Sequence, residues 1–116
     1  MFTAFLPAIS KDALKRVTAV VRSWRLHRRT NLSEADLARA INPIVRGWMN
    51  YYGAFYKSAM YPLLARINAY LMRWLRGKFK RFQGRKAARA AWERAVANRP
   101  RFFAHWAWVT WVPKVW

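Results

Sequence analysis

Two runs of basic side chains carry most of the chemistry this sequence offers. Arg22, Arg25, His27, Arg28 and Arg29 fall within one short stretch. Arg73, Arg76, Lys78, Lys80, Arg81, Arg85, Lys86 and Arg89 fall within another, with no acid among them. Cationic groups at this density bind anions. Arginine outnumbers lysine by 16 to 7, and its planar fork matches two phosphate oxygens while its flat face stacks on bases. The bias favours RNA over a charge that serves solubility alone. Each phosphate neutralised would also release condensed counterion.

No catalytic arrangement is legible beside these runs. The acids are Asp12, Glu34, Asp36 and Glu93. The first three stand where helices are expected to start, and there the positive end of the helix dipole explains them. His27 and His105 are far apart in sequence and form no zinc motif. There is no glycine-rich phosphate loop and no nucleophile elbow. Without cysteine, thiolate metal sites and a thiol nucleophile are excluded. Neither a metal nor a cofactor is expected.

The 116 residues suit one domain, and their net charge is +19. A disordered basic tail would lack the 55% hydrophobic residues and eight tryptophans found here. The chain therefore buries a core beneath a self-repelling surface that calls for a polyanion. Nucleic acid and an anionic membrane are the two candidates. The apolar runs fall short of the ~18 residues of a membrane span. The N-terminus has no basic segment before its apolar stretch, so it does not read as a secretory signal, and the default location is the cytoplasm.

The pattern predicts an all-α fold: a small bundle of three to four helices, with a short extended N-terminal segment and an aromatic C-terminal tail. A first helix is expected from about Lys11 to Arg28, with Ser10 as N-cap and Leu14, Val17, Val21 and Trp24 as its apolar stripe. Ser33 to Asp36 resembles a capping box that opens a second helix. There Leu37, Ile41, Ile44, Val45, Trp48, Tyr52 and Phe55 share one face, opposite Arg39, Arg46, Asn50, Gly53 and Lys57. Pro43 lacks an N–H donor, so it is expected to kink or restart this helix, with Asn42 as the new cap. A third helix is expected from Pro62 to about Phe79, with Leu63, Leu64, Ile67, Leu71, Trp74 and Leu75 inward. Arg66, Arg73, Arg76 and Lys80 lie together on another of its faces. Gly84 punctuates, an alanine-rich fourth helix runs from Arg85 to Asn98, and Pro100 stops it. The tail beyond either folds back over the bundle or stays loose. Most aromatics on the stripes read as core. Tyr51, Tyr56, Tyr61 and Tyr70 stand nearer the stripe edges, where a base can stack.

The segment from Ile41 to Gly53, INPIVRGWMNYYG, resembles the signature of the group II intron maturase-specific domain, or domain X, the thumb of intron-encoded reverse transcriptases. WRLHRRTNLS before it and YPLLARINAYLMRWLRGKFKR after it agree, and the likeness runs from about Ile9 to Trp106. The resemblance implies a helical thumb that grips the parent intron RNA and helps it reach its splicing-competent fold. The RNA is then the catalyst, and in complete members the thumb also holds the template–primer duplex. Gly47, Trp48, Tyr51, Tyr52 and Gly53 are its motif positions. Of these, Trp48 and Tyr52 are expected in the core, and Gly47 is expected to admit another backbone. The residues expected on RNA are Arg22, Arg25, Arg28, Arg29, Arg46, Asn50, Lys57, Arg73, Arg76, Lys80, Arg81, Arg85 and Lys86.

The sequence departs from complete members of that family. Two aspartates cannot supply a Tyr-Ala-Asp-Asp polymerase site. Residues 1–9 resemble the end of a palm, 10–106 the thumb itself, and 107–116 an aromatic tail. A thumb without its polymerase is the expectation, non-catalytic on its own. Three rivals stand beside it: a trans-acting piece of a split reverse transcriptase, pairing with a separate finger/palm chain through Phe2, Phe5 and Leu6; a nonfunctional mobile-element remnant; and a cationic amphipathic protein lying on membranes.

Overall fold

A computed structural model describes residues 11–53 and 57–113 of the chain. It contains four α-helices: α1 Lys11–Ser23, α2 Glu34–Tyr52, α3 Tyr61–Lys78 and α4 Arg85–Asn98. Single 3-10 turns follow α1, precede α3, link α3 to α4, and lie within the C-terminal segment. Among the described residues there is no strand. The expected N-terminal segment, Ser10, Phe55 and Tyr56 lie outside the described residues.

The first helix is shorter than its pattern predicts. Asp12 opens it and Arg22 closes it, each at the helix end that suits its charge. Ala13, Val17 and Val21 are its buried row. It stops at Ser23 because Arg25 adopts left-handed backbone at φ 49° and ψ 46°. That conformation costs a non-glycine residue about 1–2 kcal/mol. The reversal carries Leu26 into the core, where it is 3% exposed. A helix continued to Arg28 would have had no such fold-back.

The second helix opens on the anticipated capping box. The Asp36 amide donates to Ser33 Oγ at 3.1 Å, and the Ser33 amide donates to Asp36 Oδ2 at 3.2 Å. These bonds hold the Asp36 carboxyl below its ordinary pKa, with Arg39 at 2.9 Å assisting. The helix does not restart at Pro43, and α2 runs through it to Tyr52, short of Lys57, which lies in the 3-10 turn before α3. Pro43 and Arg39 are both exposed, so water can satisfy the Arg39 carbonyl that the proline leaves without a donor. Asn42 is not a cap. Its Nδ2 donates to the Phe102 carbonyl and its Oδ1 accepts from the Ala104 amide, both at 2.9 Å. Leu37, Ala38, Ile41, Val45 and Met49 form the buried face. Trp48 and Tyr52 flank that face half-buried, and Ile44 is 43% exposed.

Helix α3 is the central element. Leu63, Leu64, Ala65, Ile67, Asn68, Leu71, Met72 and Trp74 are all buried. This belt is wider than one stripe because the turn after α1, helix α4 and the C-terminal segment pack on different sides of it. Pro62 sits in its first turn, as anticipated. Helix α4 has the anticipated bounds and buries Ala88 and Trp92.

The aromatic C-terminal segment folds back over the bundle. Phe103, His105, Trp106 and Val109 enter the core. Asn68, fully buried on α3, fastens it. Asn68 Oδ1 meets His105 Nε2 at 2.6 Å and accepts from Trp106 Nε1 at 3.0 Å. Asn68 Nδ2 donates to the carbonyls of Val109 and Trp111. Trp92 Nε1 adds a bond to the Thr110 carbonyl. Close approach is needed at Gly53, not at the expected Gly47. A Cβ on Gly53 would run into the Trp108 ring, while one on Gly47 would meet nothing within 4 Å.

Candidate nucleic-acid interface

The turn after α1 is held by its backbone. Trp74 Nε1 donates to the Arg29 carbonyl at 2.8 Å. Lys78 Nζ donates to the Thr30 and Leu32 carbonyls, each at 2.8 Å. Arg29 Nε donates to the Trp24 carbonyl at 3.2 Å. The C-terminal half of α3 thus grips the turn from inside, and Arg22, Arg25, Arg28 and Arg29 are exposed outside it. Lys78, which the charge pattern counts with the anion-binding run, serves this clamp instead.

His27 joins the two basic runs. Its ring stacks on Tyr70 of α3, with centroids 5.4 Å apart and planes 22° apart. Burial lowers its pKa first, followed by the positive fields of Arg28, Arg73 and Arg25. Arg73 therefore belongs with the turn after α1, although it is 44 to 48 positions away from Arg25 to Arg29 in the chain. The charged form of His27 is thus disfavoured where its ring stacks on Tyr70.

The rest of the second run lies where α3 hands over to α4. Arg76 Nε donates to the Gln83 carbonyl at 2.8 Å and ties the link together. Lys80 and Arg81 are exposed in the 3-10 turn, with the Arg81 guanidinium 4.8 Å from the Phe82 ring centroid. Arg85 and Lys86 form the exposed first turn of α4, which has Gly84 as N-cap and no side-chain cap bond. Cations at a positive helix end repel it, and an anion placed there relieves both.

The motif residues of α2 form a third area. Arg46 and Asn50 are exposed one helical turn apart. Arg46 lies beside Arg39, Asn42, Pro43 and Phe102 on a shallow surface. Lys57 Nζ stands 4.8 Å over the Trp108 ring. Tyr51 is 75% exposed and packs edge-on against Tyr52. Trp48 stacks on Trp24 at 5.5 Å and 11°, joining α2 to the end of α1. Among the described residues, no three His, Cys, Asp or Glu side chains gather as a metal site would need. No helix in that range is long and apolar enough to cross a membrane.

A family model for the group II intron, maturase-specific domain, matches residues 14–92. The chain belongs to that family. No curated protein and no solved structure is similar enough to add to the assignment. The match on the maturase-specific domain takes in α1 from Leu14, all of α2 and α3, and α4 to Trp92. The core extends past it, since Phe103, His105, Trp106 and Val109 are buried against those same helices. Asn42, Asn68 and His105 hold this extension; the sequence pattern offered Asn42 only as a helix cap and His105 only as a zinc ligand to be rejected, and it gave no role to Asn68. One signal for Asn68 was available: it stands between Leu64 and Leu71 at helical spacing, a polar residue in an apolar row.

Proposed function

We propose that this maturase-specific domain binds group II intron RNA through phosphate contacts and assists the RNA's folding for splicing, with no chemistry of its own. Family membership supports the RNA class. The single observation that carries the binding mode is the backbone-held turn after α1. Its arginines are exposed together, and Arg73 joins them across His27. A rigid backbone under several guanidinium groups lowers the ordering cost of each phosphate contact. The contact set is Arg22, Arg25, Arg28, Arg29, Arg73, Arg76, Lys80, Arg81, Arg85 and Lys86, with Arg46, Asn50 and Lys57 as a separate area. In complete proteins of the family the same surface would serve beside a polymerase, and a separate finger/palm chain is a compatible partner.

Competition binding tests this reading. Labelled group II intron RNA is bound by the full chain and challenged with unlabelled intron or with an unrelated structured RNA of equal length. The intron should compete at least tenfold better. Equal competition would reduce the domain to a general polyanion binder.

A further inference from the structure

The outward face of α3 carries a feature of which the phosphate-binding role uses only Arg73. Pro62, Arg66, Ala69, Tyr70 and Arg73 follow one another at helical spacing, and with Pro113 they line an open cleft of about 320 Å³. Arg66 and Arg73 are both exposed along it, seven residues or ~10.5 Å apart along the axis. Tyr70 stands between them, half-buried. No acidic side chain lines the cleft.

Two features make Tyr70 a platform instead of a loose surface ring. Its ring lies nearly parallel to His27, 5.4 Å away, so its orientation is set by a neighbour on a different element. That neighbour lies in a turn whose backbone Trp74 and Lys78 hold in place. Cation, aromatic ring and cation along one groove match the way single strands are held. Backbone phosphates pair with the charges, and an unstacked base lies on the ring. Paired RNA offers no free base face and is gripped by shape and phosphates alone.

We infer that this cleft is a subsite for an unpaired stretch of RNA, with one base stacked at Tyr70 and flanking phosphates on Arg66 and Arg73. The inference rests on the RNA-binding reading above and adds strand state and residues to it. Tyr70 acts here through its ring face, and its hydroxyl is dispensable.

The test uses the full chain and a fluorescent oligouridylate of ten residues, with a ten-base-pair RNA duplex as the contrasting ligand. Tyr70→Leu should weaken decamer binding about tenfold or more, as loss of one base–aromatic stack does. Tyr70→Phe should stay within twofold of the parent, and duplex binding should be unchanged in both variants. Arg66→Ala and Arg73→Ala should each make the salt dependence of decamer binding shallower, by about 0.7 in the log–log slope. Independently of any variant, 2-aminopurine placed mid-strand should be quenched on binding the parent protein. An unquenched probe, or a Tyr70→Leu protein that melts like the parent and binds the decamer equally well, overturns the inference. Intron RNA measured in parallel separates the two readings. Tight, salt-dependent intron binding with Tyr70-independent decamer binding overturns only the subsite, whereas no affinity for intron RNA overturns both.

Discussion

The two faces of α3 handle polar groups in opposite ways. Asn68 faces inward, and both ends of its amide meet partners: His105 and Trp106 on the oxygen, the Val109 and Trp111 carbonyls on the nitrogen. Tyr70, two residues and ~200° around the helix, faces outward between exposed arginines. The inner seam has no charge, and burial takes the His105 pKa down to about 3. Its Nδ1 stays buried without a hydrogen-bond partner. The outer face gathers charge that other parts of the chain bring to it. The contrast teaches that one helix organises both stability and binding, and that the two should separate cleanly under mutation.

Breaking the inner seam should have the largest effect. Asn68→Leu leaves two ring N–H donors and two carbonyls without their partner, a cost of about 3–5 kcal/mol. Urea unfolding monitored by tryptophan fluorescence measures it; a loss below about 1 kcal/mol would remove Asn68 from the centre of the fold. Gly53→Ala comes next. Its Cβ would push Trp108 off the end of α2, at about 1–3 kcal/mol. Gly47→Ala is the outward counterpart. With open space around the new methyl, it should stabilise α2 by about 0.5–1 kcal/mol. The two melts should move in opposite directions.

Acid acts on the inner seam through His105. His105 titrates near its ordinary 6.5 when unfolded and at about 3 when folded. The unfolded chain therefore binds the extra proton first. Stability from this residue is complete above about pH 6.5 and falls by about 1.4 kcal/mol per pH unit below it. The shifts of His27 and Asp36 have the same sign. Unfolding series at pH 7 and pH 5.5 should differ by that amount, and His105→Gln should flatten most of the difference. The turn after α1 offers an effect of opposite sign. Arg25→Gly relieves left-handed strain and should raise stability by up to about 1 kcal/mol. The same change removes a phosphate contact, so it should weaken RNA binding while the fold gains.

Local chemistry made the starts of α2, α3 and α4 and the end of α4 legible: the Ser33–Asp36 box, Pro62, Gly84 and Pro100 each act within a few residues. The end of α1 was not legible, because nothing near Arg25 marks a left-handed residue and its cause is the burial of Leu26. The continuity of α2 through Pro43 was not legible either, because it depends on solvent reaching the Arg39 carbonyl. Asn42 and Asn68 pair with residues 37 to 62 positions away, and periodicity carries no such information. Among the candidate contact residues, the charge runs were plain. That Arg73 acts on the same His27 ring as Arg25 and Arg28 required the folded turn.

The most direct test of the account is the salt dependence of binding to group II intron RNA. At least six phosphate contacts on the α1 turn and the α3–α4 link predict a steep straight line of log affinity against log salt. Affinity should fall roughly a thousandfold between 50 and 200 mM. Replacing Arg25, Arg28 and Arg73 together by alanine should make the line markedly shallower while the melt is preserved. A flat response in the parent protein, or a slope unchanged in the triple variant, would contradict the claim that this surface grips RNA.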